Sequence, residues 1–515
     1  MLNLSTMLQE SASRYPDKTA IAFGDLALSY SQLNALANQV ANGLKHIGIQ
    51  PGDKVALSCP NLPFFPMIYY GILKAGAIVV PLSVLLKKDE IAYHLKDSDA
   101  KAYFCFTGTE ALPMGLMGHE AFQEATSCKH FYIIMPRQDM PSSISGTKTF
   151  EEFLKGQSNN VDTFQTAAED TAIIIYTSGT TGHPKGAELT HNNLVHNALL
   201  CVEILTLTKE DRVLIVLPLF HIFGMTVLMN AGIFKGSTLV LLSRFETEAT
   251  YALMQRHHIT VFAGVPSMYW SLLQYQDPKF DYDTIAHDLR ICVSGGASLP
   301  VKVMEDFEAR FNVKIFEGYG MSEGSPVVCF NMYEFGRKAG SVGKPVWGVD
   351  VRLVDENDQD VPTGEKGELL YRGHNVMKGY YKKPEATAEA LRNGWMHSGD
   401  IAIRDEDGFY FIVDRTKDMI NRGGFKVFPR EVEEVMLHHP AVSTVAVVGF
   451  PNERLGEEVM ACVVLKENMS ADEQELIQWT QARIAEYKYP RKIKFVKALP
   501  MSATGKVLKK DIARD

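Results

Sequence analysis

The sequence lacks the cysteine pattern that a disulfide framework or a zinc site requires. Its 515 residues contain seven cysteines, and no two of them form a C-x-x-C pair. This odd number of scattered thiols fits reduced, buried cysteines in a cytoplasmic protein better than paired ones. Residues 1–18 carry charges and no apolar segment of the kind that directs secretion, so no signal peptide is predicted.

The sequence also lacks an excess of basic residues. It has 52 Lys and Arg against 61 Asp and Glu, a formal net charge of −9. A protein that binds nucleic acid through a basic surface is therefore disfavoured. The 46% hydrophobic and 22% charged fractions are typical of a globular chain. At roughly 150 residues per domain, the length predicts about three structural units.

One stretch approaches the length of a membrane span. Residues 213–234 run for about 22 positions without a formal charge, but Pro218, His221 and Gly224 interrupt them. Residues 213–217 instead predict a short buried strand, and the segment from Phe223 onward predicts a buried helix. No integral membrane segment is expected.

Apolar strand patterns alternate with helical patterns through the first four hundred residues. Strands are predicted at 172–176, 213–217, 238–242, 290–293 and 313–316, and helices at 248–257 and 300–311. This alternation indicates the α/β class, with stacked and largely parallel sheets. Shorter segments at 349–354, 368–372 and 409–413, separated by Gly and Asp turns, predict a small antiparallel or barrel-like sub-domain.

The last hundred residues have a different pattern. They predict a helix at 429–438, strands at 444–450 and 459–465, a helix at 471–487 and a strand at 493–496. This order indicates a compact α+β unit of about 100 residues. We expect an N-terminal domain over 1–413, a boundary at 414–418 and a C-terminal domain over 419–515.

The most specific local feature is the loop YTSGTTGHPKG at 176–186. Small hydroxyl residues and glycines leave backbone N–H groups free to surround phosphate oxygens, and a lysine adds a point charge. The loop is not a Walker A motif, because Pro184 precedes Lys185 and Gly186 follows it. A surface turn is the alternative interpretation. The candidate phosphate-binding residues are Thr177, Ser178, Gly179, Thr180, Thr181, Gly182 and Lys185.

This loop resembles the signature of the adenylate-forming enzymes, which include acyl-CoA synthetases, beetle luciferases and peptide-synthetase adenylation domains. The resemblance extends over essentially the whole chain. Further landmarks occur in the family's order: LPLFH at 217–221, SGGA at 294–297, EGYGMSE at 317–323, SGD at 398–400, DRTKD at 414–418 and TGK at 504–506. The segments FAGVP at 262–266 and NVMKGYY at 375–381 are typical of bacterial long-chain fatty-acid–CoA ligases.

The resemblance implies an activity, its substrates and a site. The enzyme would activate a medium- or long-chain fatty acid with ATP and Mg²⁺, release pyrophosphate, and pass the acyl group from acyl-AMP to CoA. Thr177 and Glu323 match the positions that hold Mg²⁺, since a carboxylate and oxygen ligands suit this cation. The nucleotide would contact the loop residues and a second set: Gly295, Gly296, Ala297, Glu317, Gly318, Tyr319, Gly320, Met321, Ser322, Asp400 and Arg415. Taken alone, SGGA is a turn before a helix, and Asp400 is an ordinary turn residue.

Lys506 carries the most consequential implied role. By resemblance it reaches from a mobile C-terminal domain and stabilises the charge between carboxylate and α-phosphate, with Lys417 as the hinge. His221 would lie at the entrance of the acyl pocket, although a buried core histidine is the alternative. The remaining candidates for acyl or CoA contact are Gly264, Val265, Met268, Gly320, Met321, Val327, Gly423 and Gly424. Asn421 departs from the family, since several relatives carry lysine there.

Other functions stay open at this stage. The same adenylation could serve an aryl or short-chain acid, or a carrier-protein thiol in place of CoA. A non-catalytic nucleotide- or acyl-binding protein is disfavoured by the retention of Lys185, Glu323, Asp400 and Lys506. The composition and resemblance predict a cytoplasmic ligase. A homodimer and peripheral contact with a membrane surface are left open.

Overall fold

The computed structural model describes residues 2–137, 139–177, 183–415, 418–423, 425–452, 454–502 and 505–513, apart from the side chain of Arg415. The predicted site residues Ser178, Gly179, Thr180, Thr181, Gly182, Lys417 and Gly424 lie outside these ranges.

The strands occur along the whole described chain. They are β1 (Thr19–Phe23), β2 (Leu26–Ser29), β3 (Lys54–Ser58), β4 (Ile78–Pro81), β5 (Ala100–Phe106), β6 (His130–Ile134), β7 (Lys148–Thr149), β8 (Thr171–Thr177), β9 (Lys185–Thr190), β10 (Arg212–Ile215), β11 (Thr238–Leu241), β12 (Val261–Gly264), β13 (Ile291–Ser294), β14 (Ile315–Gly320), β15 (Val327–Phe330), β16 (Lys344–Pro345), β17 (Val349–Val354), β18 (Lys366–Gly373), β19 (Gly379–Tyr380), β20 (Met396–Arg404), β21 (Tyr410–Arg415), β22 (Ile420–Arg422), β23 (Phe425–Val427), β24 (Val442–Asn452), β25 (Gly456–Leu465) and β26 (Lys492–Phe495).

Helices connect most of the strands. They are α1 (Thr6–Arg14), α2 (Tyr30–His46), α3 (Phe64–Lys74), α4 (Lys88–Asp97), α5 (Met114–Glu124), α6 (Phe150–Leu154), α7 (His191–Ile204), α8 (Ala231–Lys235), α9 (Thr247–His257), α10 (Pro266–Gln274), α11 (Tyr282–Asp288), α12 (Val301–Phe311), α13 (Pro384–Ala390), α14 (Pro429–Leu437) and α15 (Glu473–Gln481). A π-helix spans Phe223–Asn230, and short 3₁₀ turns span Ser322–Gly324, Arg392–Gly394 and Lys509–Asp511.

Within the described ranges the strands form four sheets. The first has the order β16-β15-β14-β13-β12-β10-β11-β1-β2, and the second β19-β9-β8-β4-β3-β5-β6-β7. Both are mostly parallel, with antiparallel pairs at β1–β2, β14–β15, β15–β16, β8–β9 and β9–β19. The predicted class of stacked, largely parallel α/β sheets is therefore confirmed.

The other two sheets are smaller. Strands β17-β18-β20-β21 form an antiparallel sheet, as the short segments after residue 349 predicted. The C-terminal sheet has the order β23-β22-β25-β24, with β26 added parallel to β25. Together with α14 and α15 it makes the predicted smaller α+β part of the chain.

The second sheet separates two apolar cores. Leu57 and Phe104 pack into the main core, whereas Ala56 and Tyr103, their neighbours along the same strands, pack into a smaller core. This alternation is the period-two pattern of a strand buried on both faces. The C-terminal part has its own apolar clusters, which include Val432.

The uncharged stretch at 213–234 forms β10, a turn and the buried π-helix. Across the ranges described, no helix is both long and apolar enough to span a membrane. The seven cysteines are buried and unpaired, as their spacing predicted.

One local prediction needs correction, and one strand was missed. The helix predicted at 471–487 ends at Gln481, because the chain continues in turns from Ala482. Strand β9, between the glycine-rich loop and α7, was not predicted at all. Its pairing with β8 and β19 depends on residues distant in sequence.

Candidate active site

The hairpin β8–β9 places the two ends of the glycine-rich loop opposite each other. Thr177 ends β8 and pairs in register with Lys185, which begins β9. At the far end of β9, the Thr190 hydroxyl caps α7 by accepting a hydrogen bond from the Asn193 N–H at 3.1 Å. The Asn193 side chain in turn donates to the carbonyl of Val376 at 3.1 Å. Strand β9, at one end of the loop, is thereby fixed to the surrounding structure.

The two predicted metal-binding residues, Thr177 and Glu323, are in direct contact. Glu323 lies in the turn Ser322–Gly324, directly after β14, and is 5% exposed. Its Oε1 accepts hydrogen bonds from Thr177 Oγ1 at 3.0 Å and from Tyr380 Oη at 2.9 Å. A carboxylate beside a hydroxyl offers the hard oxygen ligands that Mg²⁺ prefers. The donor set of this pair therefore fits a magnesium ion.

Tyr380 connects that carboxylate to the loop lysine. The Lys185 ammonium lies 4.3 Å from the centre of the Tyr380 ring, a cation–π contact. Burial raises the pKa of Tyr380, and the Glu323 carboxylate raises it further. The hydroxyl therefore keeps its proton and donates to Glu323.

Asp400 and Tyr319 meet across two sheets. Tyr319, in β14, donates its hydroxyl hydrogen bond to Asp400 Oδ2, in β20, at 2.6 Å. Asp400 is 3% exposed, and its N–H donates to Ser398 Oγ at 3.1 Å. Arg415 stands opposite Asp400 in the β20–β21 register. The predicted aromatic and carboxylate groups are thus in direct contact.

The SGGA turn packs against the predicted opposite wall. A Cβ atom at Gly295 would lie 3.1 Å from the Phe223 ring and 3.5 Å from the Gly318 carbonyl oxygen. Gly296 has φ +80°, a conformation that favours glycine. Ala297, the next residue, is exposed. Small residues at these positions keep the cleft between the two walls open.

Glu317 stabilises the chain around this turn. It pairs in register with Ser294, and its Oε1 accepts a hydrogen bond from the Leu299 N–H at 3.0 Å. Burial raises the pKa of Glu317 to about 7, although Leu299 and the charge of Arg430 oppose the rise and Glu434 adds to it. Glu317 is therefore a structural support whose charge changes near neutral pH.

This pKa makes stability depend on pH in a testable way. Because the pKa in the folded state lies above the ordinary value of 4.5, the stability linked to Glu317 is complete below pH 4.5. It is lost as the pH rises through about 7. Glu317→Gln keeps the acceptor for Leu299 and removes the charge. We expect the unfolding free energy of the variant, relative to wild type, to rise by about 1–2 kcal/mol between pH 5 and 8.

Urea unfolding at several pH values measures this difference, and any pH-independent cost of the amide cancels in it. Glu365→Gln, at an exposed position, is the control and should give a flat difference. Parallel pH profiles for Glu317→Gln and wild type would contradict the expectation.

Lys506 reaches the SGGA turn from the C-terminal part of the chain. Its Cε lies 3.3 Å from the position of a Cβ at Gly296. The neighbouring Gly505 carbonyl accepts a hydrogen bond from Ser267 Oγ at 3.3 Å. Gly505 has φ +76°, and a Cβ there would come within 2.7 Å of the Val265 side chain. A larger residue at 505 would hold the lysine away from the cleft.

His221 lies on the same side of the cleft. Its Nδ1 accepts a hydrogen bond from the Phe223 N–H at 3.3 Å. Burial lowers the pKa of His221 to about 3, and the charge of Lys506 adds to this effect. The imidazole is therefore neutral at physiological pH and close enough to Lys506 to respond to its charge.

The predicted acyl-contacting residues fall into two groups. Gly264, Val265 and Met268 lie at the junction of β12 and α10, next to the Lys506 turn. Gly320, Met321 and Val327 belong to the β14–β15 hairpin, where a Cβ at Gly320 would lie 1.8 Å from the Pro326 carbonyl oxygen.

Of the C-terminal residues predicted to meet CoA, the structure describes Gly423, which packs against Leu455 within its own part of the chain. Gly423 turns between β22 and β23, and its N–H donates to the Leu455 carbonyl at 2.8 Å. Arg422 pairs with Glu458 at 2.5 Å, within the same part of the chain. Lys426 pairs with Glu356 at 2.5 Å, and Arg430 contacts Ser298, so these two charges bridge the two parts.

Sequence reasoning assigned no role to Tyr380, although NVMKGYY was noted as a motif. Tyr371 was missed too. Its hydroxyl is buried without a hydrogen-bond partner in the part of the chain that the structure describes. The charges of Glu323 and Asp400 both raise the pKa of Tyr371, after burial. The position of Tyr380 after the glycine of NVMKGYY is the signal that the sequence offers, but it does not identify the residue that the tyrosine contacts.

Comparison with known proteins fits this geometry. The family model for AMP-binding enzymes matches residues 8–381, and the model for their C-terminal domain matches residues 431–506. The chain therefore belongs to the AMP-binding enzymes, the adenylate-forming family that its motifs indicated.

Individual relatives extend over nearly the whole chain. A long-chain-fatty-acid–CoA ligase of Bacillus subtilis is 36% identical, covering 99% of this chain and 94% of that protein. A feruloyl-CoA synthase of Amycolatopsis is 35% identical, covering 97% of this chain and 96% of that protein. The structure of the anthranilate CoA ligase AuaEII in complex with anthranoyl-AMP superposes with a TM-score of 0.90 at 29% identity, covering 98% of this chain and 95% of that one.

Proposed function

We propose that this protein is an ATP-dependent acid–CoA ligase that acts on a medium- or long-chain fatty acid. The observation that carries the proposal is the approach of Lys506, from the C-terminal part, to Gly296 of the SGGA turn. The Thr177–Glu323 and Tyr319–Asp400 contacts support it. A carboxylate–hydroxyl pair, a carboxylate suited to ribose hydroxyls and an inserted lysine are the groups that adenylation needs.

In the first step, a carboxylate oxygen of the acid attacks the α-phosphorus of ATP, and pyrophosphate leaves with the electrons of the broken P–O bond. Lys506 stabilises the charge shared by the carboxylate and the α-phosphate. His221 is neutral, so it adds no second positive charge next to Lys506, and it lies beside the acid. Thr177 and Glu323 would hold Mg²⁺, which neutralises phosphate charge when bound, while Lys185 and the loop 178–182 bind the outer phosphates.

In the second step, the CoA thiol, after losing its proton, attacks the acyl carbon and AMP leaves. We propose that residues 419–515 rotate about 414–418, with Lys417 as the pivot, between the two steps. The rotation withdraws Lys506 and presents the Gly423–Gly424 turn. The bridging pairs of Lys426 and Arg430 have to break in this movement.

The choice of a fatty acid is supported by the relatives named as long-chain-fatty-acid–CoA ligases, which include proteins of Bacillus subtilis and Escherichia coli. An aromatic acid is the second candidate, since a feruloyl-CoA synthase is nearly as similar. The small residue Gly264, flanked by Phe262 and Met268, is compatible with an alkyl chain, because flexible apolar groups adapt to it.

A panel of acids tests both parts of the proposal. Pyrophosphate release is measured with acetate, octanoate, palmitate, oleate, benzoate and ferulate, each with and without CoA. We expect sustained turnover only with CoA and a maximum at one fatty acid of medium or long chain. A maximum at benzoate or ferulate would replace the fatty acid by an aryl acid. Absence of release with every acid would reject the ligase function.

A further inference from the structure

Tyr380 contacts both the predicted metal-binding residue Glu323 and the predicted phosphate-binding residue Lys185. We infer that it is a positioning residue for the proposed reaction: its hydroxyl fixes the Glu323 carboxylate, and its ring seats the Lys185 ammonium. One side chain would then couple the metal-binding carboxylate to the phosphate-binding lysine. The inference rests on the proposed function and extends it to a residue outside the predicted site.

The hydroxyl contact is well defined. Tyr380 is 8% exposed and donates to Glu323 Oε1 at 2.9 Å, the oxygen that also accepts from Thr177 at 3.0 Å. Both hydrogen bonds that described residues give this carboxylate fall on Oε1. Two donors on one oxygen fix the plane of the carboxylate and direct its other oxygen. Hydrogen bonds to an ionised group are stronger than neutral ones.

The ring contact is independent of the hydroxyl. Lys185 Nζ lies 4.3 Å from the ring centre, within the range of a favourable cation–π contact. Lysine has a long side chain and loses much rotamer entropy when it is fixed. A ring that already holds the ammonium at the end of the loop reduces the rotamer entropy that the lysine loses when it binds a phosphate.

The backbone around Tyr380 makes it a rigid support. Tyr380 pairs with Ala187 of β9, and the next N–H, of Tyr381, donates to the Gly186 carbonyl at 2.8 Å. On the other side, the Met377 N–H donates to the Glu323 carbonyl oxygen at 2.9 Å. The segment 377–381 is therefore hydrogen-bonded to the turn that carries Glu323 and to the strand that carries Lys185.

Three variants separate the two contacts. Tyr380→Phe removes only the hydroxyl, and Tyr380→Leu removes the ring as well. Tyr381→Phe is the matched control, because the Tyr381 hydroxyl donates to Asp99 at 2.8 Å on a different part of the surface. Should Tyr380→Leu fail to fold, Tyr380→Met offers a longer, flexible apolar side chain without a ring.

The decisive readout is binding of the non-hydrolysable analogue α,β-methylene-ATP by calorimetry, with and without Mg²⁺. For Tyr380→Phe we expect about tenfold weaker binding with Mg²⁺ and unchanged binding without it. KM for Mg·ATP should rise more than kcat falls, and a higher Mg²⁺ concentration should restore the rate. Tyr380→Leu should weaken binding under both conditions, because the Lys185 ammonium loses its cation–π contact.

Equal binding of Tyr380→Phe, Tyr381→Phe and wild type would overturn the hydroxyl role. A loss of the same size with and without Mg²⁺ would also overturn it. Tyr380→Leu behaving as Tyr380→Phe would overturn the ring role. These results are separate from the ligase function, since wild-type binding of the analogue is measurable even if no acid is turned over.

Discussion

Lys506→Ala should lower acyl-adenylate formation by about 10²–10³-fold, while thioester formation from supplied acyl-AMP stays close to that of wild type. The reason is geometric. Lys506 is the lysine whose side chain reaches Gly296 from the C-terminal part, and in the proposed mechanism it acts on charge that develops only in the first step. In the second step the proposed rotation has already removed it.

The two half-reactions are measured apart, by pyrophosphate release with the acid and by thioester formation from synthetic acyl-AMP with CoA. The pKa of His221 gives a further readout. Burial lowers this pKa and the Lys506 charge lowers it further, so it should rise in the variant. Lys510→Ala, at an exposed position in the same segment, is the control. Equal losses in both half-reactions would reject the assigned role.

The sequence predicted the fold class because the parallel strands are continuous apolar segments. Residues 213–217 and 290–293 are of this kind, and both correspond to strands within a few residues. Strand β9 escaped prediction, since Lys185, Gly186 and Glu188 do not form an apolar pattern. It becomes a strand only through pairing with β8 and β19.

The helix predicted at 471–487 shows the opposite error. Its apolar spacing continues beyond Gln481, because Ile484 and Tyr487 still pack against the C-terminal core. The chain, however, turns at these positions, and the Lys488 ammonium pairs with Glu431 at 2.5 Å. A periodic pattern records which residues are buried, and turns can bury residues at the same spacing as a helix.

The site was predicted by motif, but its contacts were not. The pairing of Tyr319 with Asp400 joins segments 81 positions apart, and that of Tyr380 with Glu323 joins segments 57 apart. The position of Lys506 depends further on how the two parts of the chain are oriented. Such contacts are decided by the packing of separate sheets, which the order of motifs along the chain does not specify.

Glu323→Gln should reduce adenylation by about 10²-fold at limiting Mg²⁺ and weaken binding of Mg²⁺ with an ATP analogue. The amide keeps an acceptor oxygen for Thr177 and Tyr380, so the local structure should persist while the negative charge is lost. A neutral amide is a poorer ligand for a hard cation than a carboxylate. Calorimetry with and without Mg²⁺, together with pyrophosphate release over a range of Mg²⁺ concentrations, measures the effect.

The double variant with Tyr380→Phe adds a test of mechanism. If Tyr380 acts by orienting the carboxylate, its removal should matter much less once the charge of Glu323 is gone, so the two effects should not add. Glu385→Gln, at an exposed position in α13, is the control. Unchanged activity of Glu323→Gln at limiting Mg²⁺ would exclude Glu323 as a metal ligand. Fully additive losses would leave Glu323 in that role and show that Tyr380 acts elsewhere.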